Sequence, residues 1–304
     1  MSEIANTALT DLSDALAAAV EKAGASTVLV SARRRIPASG IIWTGDGAIL
    51  TSDHVIEREE DIKVILADGR ELPAKLIGRD PGSDLAVLKV EGGGFTPAER
   101  SPEGAARIGN IVLALGRPSP ESPMASLGVI SAIGGTWRTF RGTEVEGYIR
   151  SDTTFYPGFS GGPLIDAAGR VIGINSSRLG RGAGLTIPVA AATLVADDLL
   201  KQGRVRRAYL GISSQVAKLP PVLAARLNGQ DEGLLIVTVE AGSPADKAGI
   251  GIGDILVKFG GTAVTDTDSL QTLLGANHVG EVTPVTVLRG GEPRDLTITV
   301  GERS

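Results

Sequence analysis

Ser160 lies in the run Tyr156-Pro157-Gly158-Phe159-Ser160-Gly161-Gly162-Pro163, a serine set among glycines between two strand-like stretches. Glycine lets backbone N–H groups crowd toward one point. A serine hydroxyl becomes a nucleophile only when a base stands within hydrogen-bond reach, a carboxylate orients that base, and backbone donors face the developing oxyanion. The chain has two histidines, His54 and His278, so the base has two candidates. His54 ends the run Ala48-Ile49-Leu50-Thr51-Ser52-Asp53, and Asp84 stands just before Leu85-Ala86-Val87-Leu88. Asp53 reads as a surface charge, and His278, between Asn277 and Val279, as a solvated loop residue.

Chain order separates two scaffolds. Gly158-Phe159-Ser160-Gly161-Gly162 also fits the G-x-S-x-G elbow, which places acid and histidine after the serine and needs strands alternating with helices. Here the order is His54, Asp84, Ser160, only His278 follows the serine, and the region lacks that alternation. Taken singly, a histidine at a strand end and an aspartate before a strand have ordinary roles in packing and turn capping. Together, in this order and in these strand contexts, they read as a base, its orienting acid and a nucleophile.

The elements that must position them follow from composition and pattern. The 304 residues are enough for about two domains, and 42% hydrophobic with 21% charged residues is the balance of a globular chain. A net charge of −5 points away from nucleic acid. Without cysteine there is no disulfide, thiol nucleophile or thiolate metal site, and two histidines do not point to a zinc cage, so neither metal nor cofactor is expected. No stretch approaches the roughly 20 apolar residues of a membrane span, and the acidic start lacks the features of a secretory signal. The chain as given therefore reads as cytoplasmic, with a periplasmic or other exported location if a leader has been trimmed away.

Leu9, Leu12, Leu16 and Val20 recur at helical spacing over about residues 8–23, giving an N-terminal helical segment, 1–26. From Thr27 short β-branched runs alternate with turn signals, including Asp46-Gly47 and Asp68-Gly69 as hairpin turns. Nine or more strands in residues 27–190 imply a barrel, a sandwich or a pair of barrels. Helical periodicity returns over Val189–Gln202, and residues 191–207, closing on Gly203, Arg204, Arg206 and Arg207, read as a helical linker. A small mixed domain fills residues 208–304.

At this point the chain resembles the HtrA (high-temperature-requirement) family of serine proteases. The resemblance rests on Gly47-Ala48-Ile49-Leu50-Thr51 before His54-Val55, Asp84-Leu85-Ala86-Val87-Leu88-Lys89, and Leu127-Gly128-Val129-Ile130-Ser131. It continues through Ser151-Asp152, Gly158-Phe159-Ser160-Gly161-Gly162-Pro163-Leu164, Gly173-Ile174-Asn175 and Ile187-Pro188, in that order. It implies a mainly β fold, a trypsin-like double β-barrel with an N-terminal helix, followed by a small α+β PDZ domain. His54 would be the general base, Asp84 its orienter and Ser160 the nucleophile. The oxyanion hole would be the N–H groups of Gly158 and Ser160, with the Phe159 amide between them. Family members usually carry asparagine at the places of Tyr156 and Phe159, which leaves room for a catalytically weak chaperone or peptide-binding scaffold on the same fold.

The resemblance also implies a first substrate pocket walled by Thr153-Thr154-Phe155 and Asn175-Ser176-Ser177, with a taste for small or medium aliphatic residues. Asp152 is the acidic residue nearest its base, and Arg178 and Arg181 read as a mobile charged loop. In the second domain Tyr209-Leu210-Gly211-Ile212 looks like the carboxylate-binding loop of a PDZ domain, with Leu270, Leu273 and Leu274 on the helix that completes the groove. The activity implied is ATP-independent cleavage of unfolded or misfolded proteins, with C-terminal peptides bound at the PDZ domain. The family also implies a homotrimer or larger homo-oligomer, although no aromatic residue precedes Trp43 to make its N-terminal contacts.

Overall fold

The runs of β-branched and aliphatic residues fold into short antiparallel strands joined by glycine-bearing turns. The computed structural model describes residues 2–135, 137–138, 144–145, 147–180, 184–205, 208–274 and 279–302. The chain divides into two units, Met1–Val205 and Arg206–Ser304. His278, Arg181, Arg206 and Arg207 lie outside the described residues.

The first unit opens with helix α1 (Ser2–Gly24), longer at its start than the leucine spacing implies. Its alanines Ala19 and Ala23 are buried and Leu16 and Val20 partly so, while Leu9 and Leu12 remain exposed. Strands β1 (Thr27–Ser31), β2 (Ala38–Ile42), β3 (Ala48–Ser52), β4 (Ile62–Ile65), β5 (Glu71–Asp80) and β6 (Leu85–Val90) close a barrel in the order β1-β2-β3-β6-β5-β4. Then come β7 (Ile111–Gly116), β8 (Met124–Gly134), the short pair β9 (Trp137–Arg138) and β10 (Glu144–Val145), β11 (Tyr148–Ser151), β12 (Pro163–Asp166), β13 (Val171–Ser176) and β14 (Leu185–Pro188). Six of these close a second barrel in the order β11-β14-β13-β12-β7-β8.

Strand alternation explains why several of these runs are apolar throughout. On β6, Ala86 and Leu88 face the interior of the first barrel while Leu85 and Val87 join a second cluster with Leu113 and Leu115 of β7. On β7, Val112 and Ala114 face the core of the second barrel instead. Side chains alternate at period two, so a strand with a core on each face has no polar side.

Helix α2 (Val189–Gln202) was expected as a linker, and the structure corrects that reading. Its residues Ala191, Ala192, Ala196 and Leu199 are buried in the same cluster as Leu85 and Leu113, against β5, β6 and β13. The helix ends at Gly203, whose N–H bonds the Leu199 carbonyl in the left-handed C-cap conformation.

The second unit contains β15 (Ala208–Tyr209), β16 (Ile212–Lys218), α3 (Pro221–Arg226), β17 (Glu232–Val239), α4 (Pro244–Lys247), β18 (Ile255–Phe259) and β19 (Thr262–Ala263). After α5 (Thr267–Leu274) come β20 (Val282–Arg289), β21 (Glu292–Thr299) and β22 (Gly301–Glu302). Its main sheet runs β16-β17-β18-β20-β21, with β19 paired to β18, and β15 pairs with β22. Among the described residues β16 pairs with β17 alone, leaving its other edge to the side where α5 packs. No described helix is long and apolar enough to cross a membrane.

Candidate active site

Strand β3 runs out at Ser52 into one 3-10 turn, Asp53–Val55, which carries His54. Arg79 of β5 clamps that turn: its Nε donates to Asp53 Oδ1 at 2.5 Å, and its Nη2 to the carbonyls of Asp53 and Ile56 at 3.3 and 3.4 Å. Asp53 is thus no surface charge, being 2% exposed and the anion of this clamp. The next residue, Asp80, organises the other side. Its carboxylate accepts from the N–H groups of Gly82 and Ser83 and from the Ser83 hydroxyl, an Asx turn that delivers Asp84. Asp84 has φ +59°, a left-handed conformation that aspartate and asparagine tolerate best among residues with a Cβ.

The buried Asp84 carboxylate takes three donors. The His54 backbone N–H reaches Oδ1 at 3.0 Å, His54 Nδ1 lies 2.9 and 2.8 Å from Oδ1 and Oδ2, and the Ser176 hydroxyl donates to Oδ2 at 2.5 Å. A carboxylate only accepts, so Nδ1 carries a proton, and in the neutral ring Nε2 then has the lone pair that a general base needs.

Ser160 comes from the second barrel. Tyr156-Pro157-Gly158-Phe159 forms a tight turn in which the Phe159 N–H bonds the Tyr156 carbonyl at 3.0 Å and Gly158 has φ +93°. Proline second and a positive-φ glycine third is the pattern of a type II turn. A side chain on Gly158 would also strike Pro118 Cβ at 2.7 Å. The loop then presses onto the first barrel at Gly161, where an added Cβ would lie 2.2 Å from the Ser39 carbonyl.

Successive carbonyls of the loop are pinned. The Gly158 carbonyl accepts from Ser39 Oγ at 2.6 Å, that of Phe159 from Gly162 N at 2.9 Å, and that of Ser160 from Ser39 N at 3.1 Å. The N–H groups of Gly158 and Ser160 have no acceptor among the described residues. They are the two donors expected to form the oxyanion hole, whereas the Phe159 amide is engaged within its own turn. The Phe159 ring is fully buried in the core of the second barrel and meets Tyr156 edge-on, with ring centroids 5.4 Å apart.

The end of β13 touches both halves of the site. Ser176 bonds Asp84, and Ser177 bonds Ser160, its hydroxyl 2.8 Å from Ser160 Oγ and its N–H donating at 3.3 Å. Among the described residues the Ser160 hydroxyl has no bond to His54. Asp152 is turned to β8, where its Oδ1 accepts from Val129 N at 2.6 Å. Phe155, on the expected pocket wall, lies against Gly184. Arg79, Asp80 and Ser39 were not singled out in the sequence; Asp80 followed by Gly82-Ser83 and a lone serine in an apolar strand are signals for the last two, and Arg79 has none.

In the second unit Tyr209 ends β15, and its hydroxyl donates to Glu240. Leu210 is buried and Gly211, at φ +80°, passes Ser243 too closely for any side chain. The carbonyls of Leu210 and Gly211 accept from Ala245 N and Glu240 N, both at 2.9 Å, and Ile212 opens the edge strand β16. Of the three leucines on α5, Leu270 and Leu274 are core residues at 4% and 9% exposure, and Leu273 is only partly buried.

Comparison with known proteins agrees with both units. Residues 38–174 match the trypsin-like peptidase domain family and residues 208–300 the PDZ domain family. A "Probable periplasmic serine endoprotease DegP-like" of Hahella chejuensis is 36% identical over 269 residues, covering 87% of this chain and 56% of the relative. One of the same name from Halomonas elongata is 36% identical over 279 residues, covering 90% of this chain and 58% of the relative. The chain thus spans a little over half the length of these curated relatives. Among solved structures, a serine endoprotease from Yersinia pestis is 32% identical with a TM-score of 0.78, covering 94% of this chain and 97% of that one. The HtrA-type protease AlgW with a decapeptide is 29% identical with a TM-score of 0.79, over 95% of this chain and 99% of that one. With two closed six-stranded barrels, a PDZ-type second unit and this degree of identity across nearly the whole of a solved relative, the chain belongs to the HtrA family of serine proteases.

Proposed function

We propose that the chain is an ATP-independent serine endopeptidase that cleaves unfolded or misfolded polypeptides, with residues 27–190 carrying the chemistry and residues 208–304 capturing C-terminal or hydrophobic peptide segments. The observation that carries this reading is that consecutive residues of one strand end, Ser176 and Ser177, contact Asp84 and Ser160 while His54 sits on Asp84. In the mechanism His54 Nε2 takes the Ser160 proton as the hydroxyl attacks a peptide carbonyl, Asp84 stabilises the imidazolium, and the N–H groups of Gly158 and Ser160 hold the oxyanion. His54 then gives its proton to the leaving amine. Water repeats the sequence on the acyl-enzyme.

The turn at Gly158 and its open donors favour this reading over a catalytically weak scaffold, the alternative raised by Tyr156 and Phe159. In the second unit a peptide would add to the free edge of β16, its carboxylate at the loop Tyr209-Leu210-Gly211-Ile212. The cytoplasmic location expected from the sequence finds no support among the relatives, which are named periplasmic, and an exported location replaces it here. A homotrimer or larger homo-oligomer belongs to the same proposal, and exposed apolar residues such as Leu9 and Leu12 are available to it.

The test is labelling of the full chain and of Ser160→Ala with a fluorophosphonate, alongside digestion of an unfolded protein with and without a hydrophobic C-terminal peptide. Labelling and digestion by the unsubstituted chain alone support the endopeptidase. A folded sample that neither labels nor digests under any condition points to the scaffold.

A further inference from the structure

A chain of buried hydrogen bonds runs from the end of α1 to the oxyanion loop. It begins at Arg117, the residue after β7, which is 3% exposed. Arg117 Nη2 donates to the carbonyl of Gly24, the last residue of α1, at 3.0 Å, and its Nε donates to the Thr27 carbonyl at 2.8 Å. Burial pushes the guanidinium below its ordinary pKa. The negative end of a helix dipole is a favourable place to hold such a cation.

The backbone N–H of the same residue donates to Ser39 Oγ at 2.7 Å, and Ser39 Oγ lies 2.6 Å from the Gly158 carbonyl. An amide can only donate, so the Ser39 hydroxyl accepts there and its one proton must go to Gly158. The direction of the chain is fixed. Ser39 is fully buried, its carbonyl accepts from Thr51 Oγ1 at 2.7 Å, and its own N–H bonds the Ser160 carbonyl at 3.1 Å. One residue therefore holds two peptide planes of the oxyanion loop, Gly158–Phe159 and Ser160–Gly161. The first is held at both ends, since the Phe159 N–H bonds Tyr156. The donors left over, Gly158 N–H and Ser160 N–H, flank the first plane and take their direction from it.

We propose that Ser39 and Arg117 are positioning residues of the oxyanion hole, coupling the C-terminal end of α1 to transition-state stabilisation. The proposal rests on the endopeptidase reading. It assigns them no contact with substrate, so loosening them should leave ground-state binding alone and misdirect the donors that meet the oxyanion.

The experiment compares the full chain with Ser39→Ala, Arg117→Lys and Arg117→Met, reading kcat and KM on an unfolded-protein or peptide substrate, the affinity for a peptide boronate, and the unfolding midpoint. A boronate forms a tetrahedral adduct on the serine with an oxygen in the hole, so it reports the donors directly. Removing an oxyanion donor outright costs about 100–1000-fold in rate, and misdirecting one should cost less, about 10–100-fold. For Ser39→Ala the expected result is that loss in kcat and in boronate affinity, with KM within about twofold. Arg117→Lys, which keeps the charge, should recover more of both than Arg117→Met. Equal kcat and boronate affinity in a folded Ser39→Ala protein overturn the proposal and leave the endopeptidase reading intact. Losses that only follow the unfolded fraction, with KM rising in step, also overturn it. Absence of turnover and boronate binding in the unsubstituted chain overturns both.

Discussion

The hydroxyls of Ser160 and Ser177 lie 2.8 Å apart, and the Ser177 N–H also donates to Ser160 Oγ at 3.3 Å. The Ser160 hydroxyl is therefore held by the end of β13, with no bond to His54 among the described residues. Ser176 fixes the arrangement from behind, since its hydroxyl accepts from the N–H groups of Arg178 and Leu179 at 3.2 and 3.3 Å while donating to Asp84. Ser177→Ala removes one neutral hydrogen bond from the resting state, worth about 1 kcal/mol, and leaves the backbone in place. The expected outcome is about fivefold faster fluorophosphonate labelling at an unchanged unfolding midpoint. Damage to the fold would not speed labelling, so an unchanged or slower rate tells against a resting role for Ser177.

Asp84→Asn should separate geometry from charge. Asparagine tolerates the φ of +59° found at residue 84, so the turn survives the substitution. Asparagine keeps one acceptor oxygen and replaces the other with an NH2 donor, and with that oxygen on the His54 backbone N–H the NH2 faces the ring and favours the tautomer with Nδ1 unprotonated. A loss of about 10,000-fold in kcat with a near-native unfolding curve is expected. Activity within about tenfold of the unsubstituted chain would remove Asp84 from its assigned role.

Ser176→Ala tests how much of that acid's orientation depends on its third donor. The buried hydroxyl bonds Asp84 Oδ2 at 2.5 Å and receives two N–H groups of the following turn. Losing a bond to a buried charged group costs about 1.5–3 kcal/mol, so kcat should fall about 10–100-fold. Steady-state kinetics at saturating substrate read the effect. An unchanged kcat would mean that His54 alone is enough to orient the carboxylate.

In the second unit Asp254 is 2% exposed and paired on both oxygens, Arg289 Nε on Oδ1 at 2.8 Å and Nη2 on Oδ2 at 2.7 Å. The guanidinium first, and the Gly251 N–H after it, hold its carboxyl below the usual carboxylate range. A depressed folded-state pKa contributes stability that is present above the unfolded value of about 3.9 and lost as pH falls through the folded one. Asp254→Asn should therefore speed hydrogen exchange in β18 and β20 at neutral pH. The gap from the unsubstituted chain should close below about pH 4. A gap that is constant with pH would assign the effect to packing instead of charge.

The candidate site was singled out where chemistry demands particular residue types in order, a histidine, an aspartate before a strand and a serine among glycines, and the structure brings His54 onto Asp84 and joins Asp84 and Ser160 to the neighbouring Ser176 and Ser177. The residues alone left a barrel, a sandwich or a pair of barrels open, and the double barrel came with the family resemblance; in the structure β6 and β7 are apolar on both faces because each has a core on either side. What stayed hidden depends on partners distant in sequence. Nothing local to Asp53 announces Arg79, and nothing near Arg117 announces the carbonyl of Gly24, yet each pair is in contact. Helix α2 was misread because its buried face is largely alanine, which carries a weak periodic signal but packs closely on β13. The leucine spacing of α1 marked the helix but not its packing, since Leu16 and Val20 meet the first unit's core while Leu9 and Leu12 are exposed.

Phe159 shows how a departure from the family pattern can be accommodated. Asparagine, usual at this place in the family, would offer a polar side chain to a position with no exposure, among Val112, Ile130, Leu164 and Ile172. The aromatic ring instead fills that core and contacts Tyr156, while a Cβ on Gly116 would come within 2.6 Å of it, so the fit is close on that side. The loop is thus anchored by burial next to Ser160. Phe159→Ala should lower stability by about 3–5 kcal/mol through lost burial and a cavity. It should also slow fluorophosphonate labelling by more than the unfolded fraction explains, because Gly158 and Ser160 lose the anchor between them. Urea unfolding and labelling, measured on one sample at a concentration of urea where the variant remains folded, read the two effects separately. Labelling at the unsubstituted rate in such a sample would show that Ser39 and the glycine turn hold the loop without the ring.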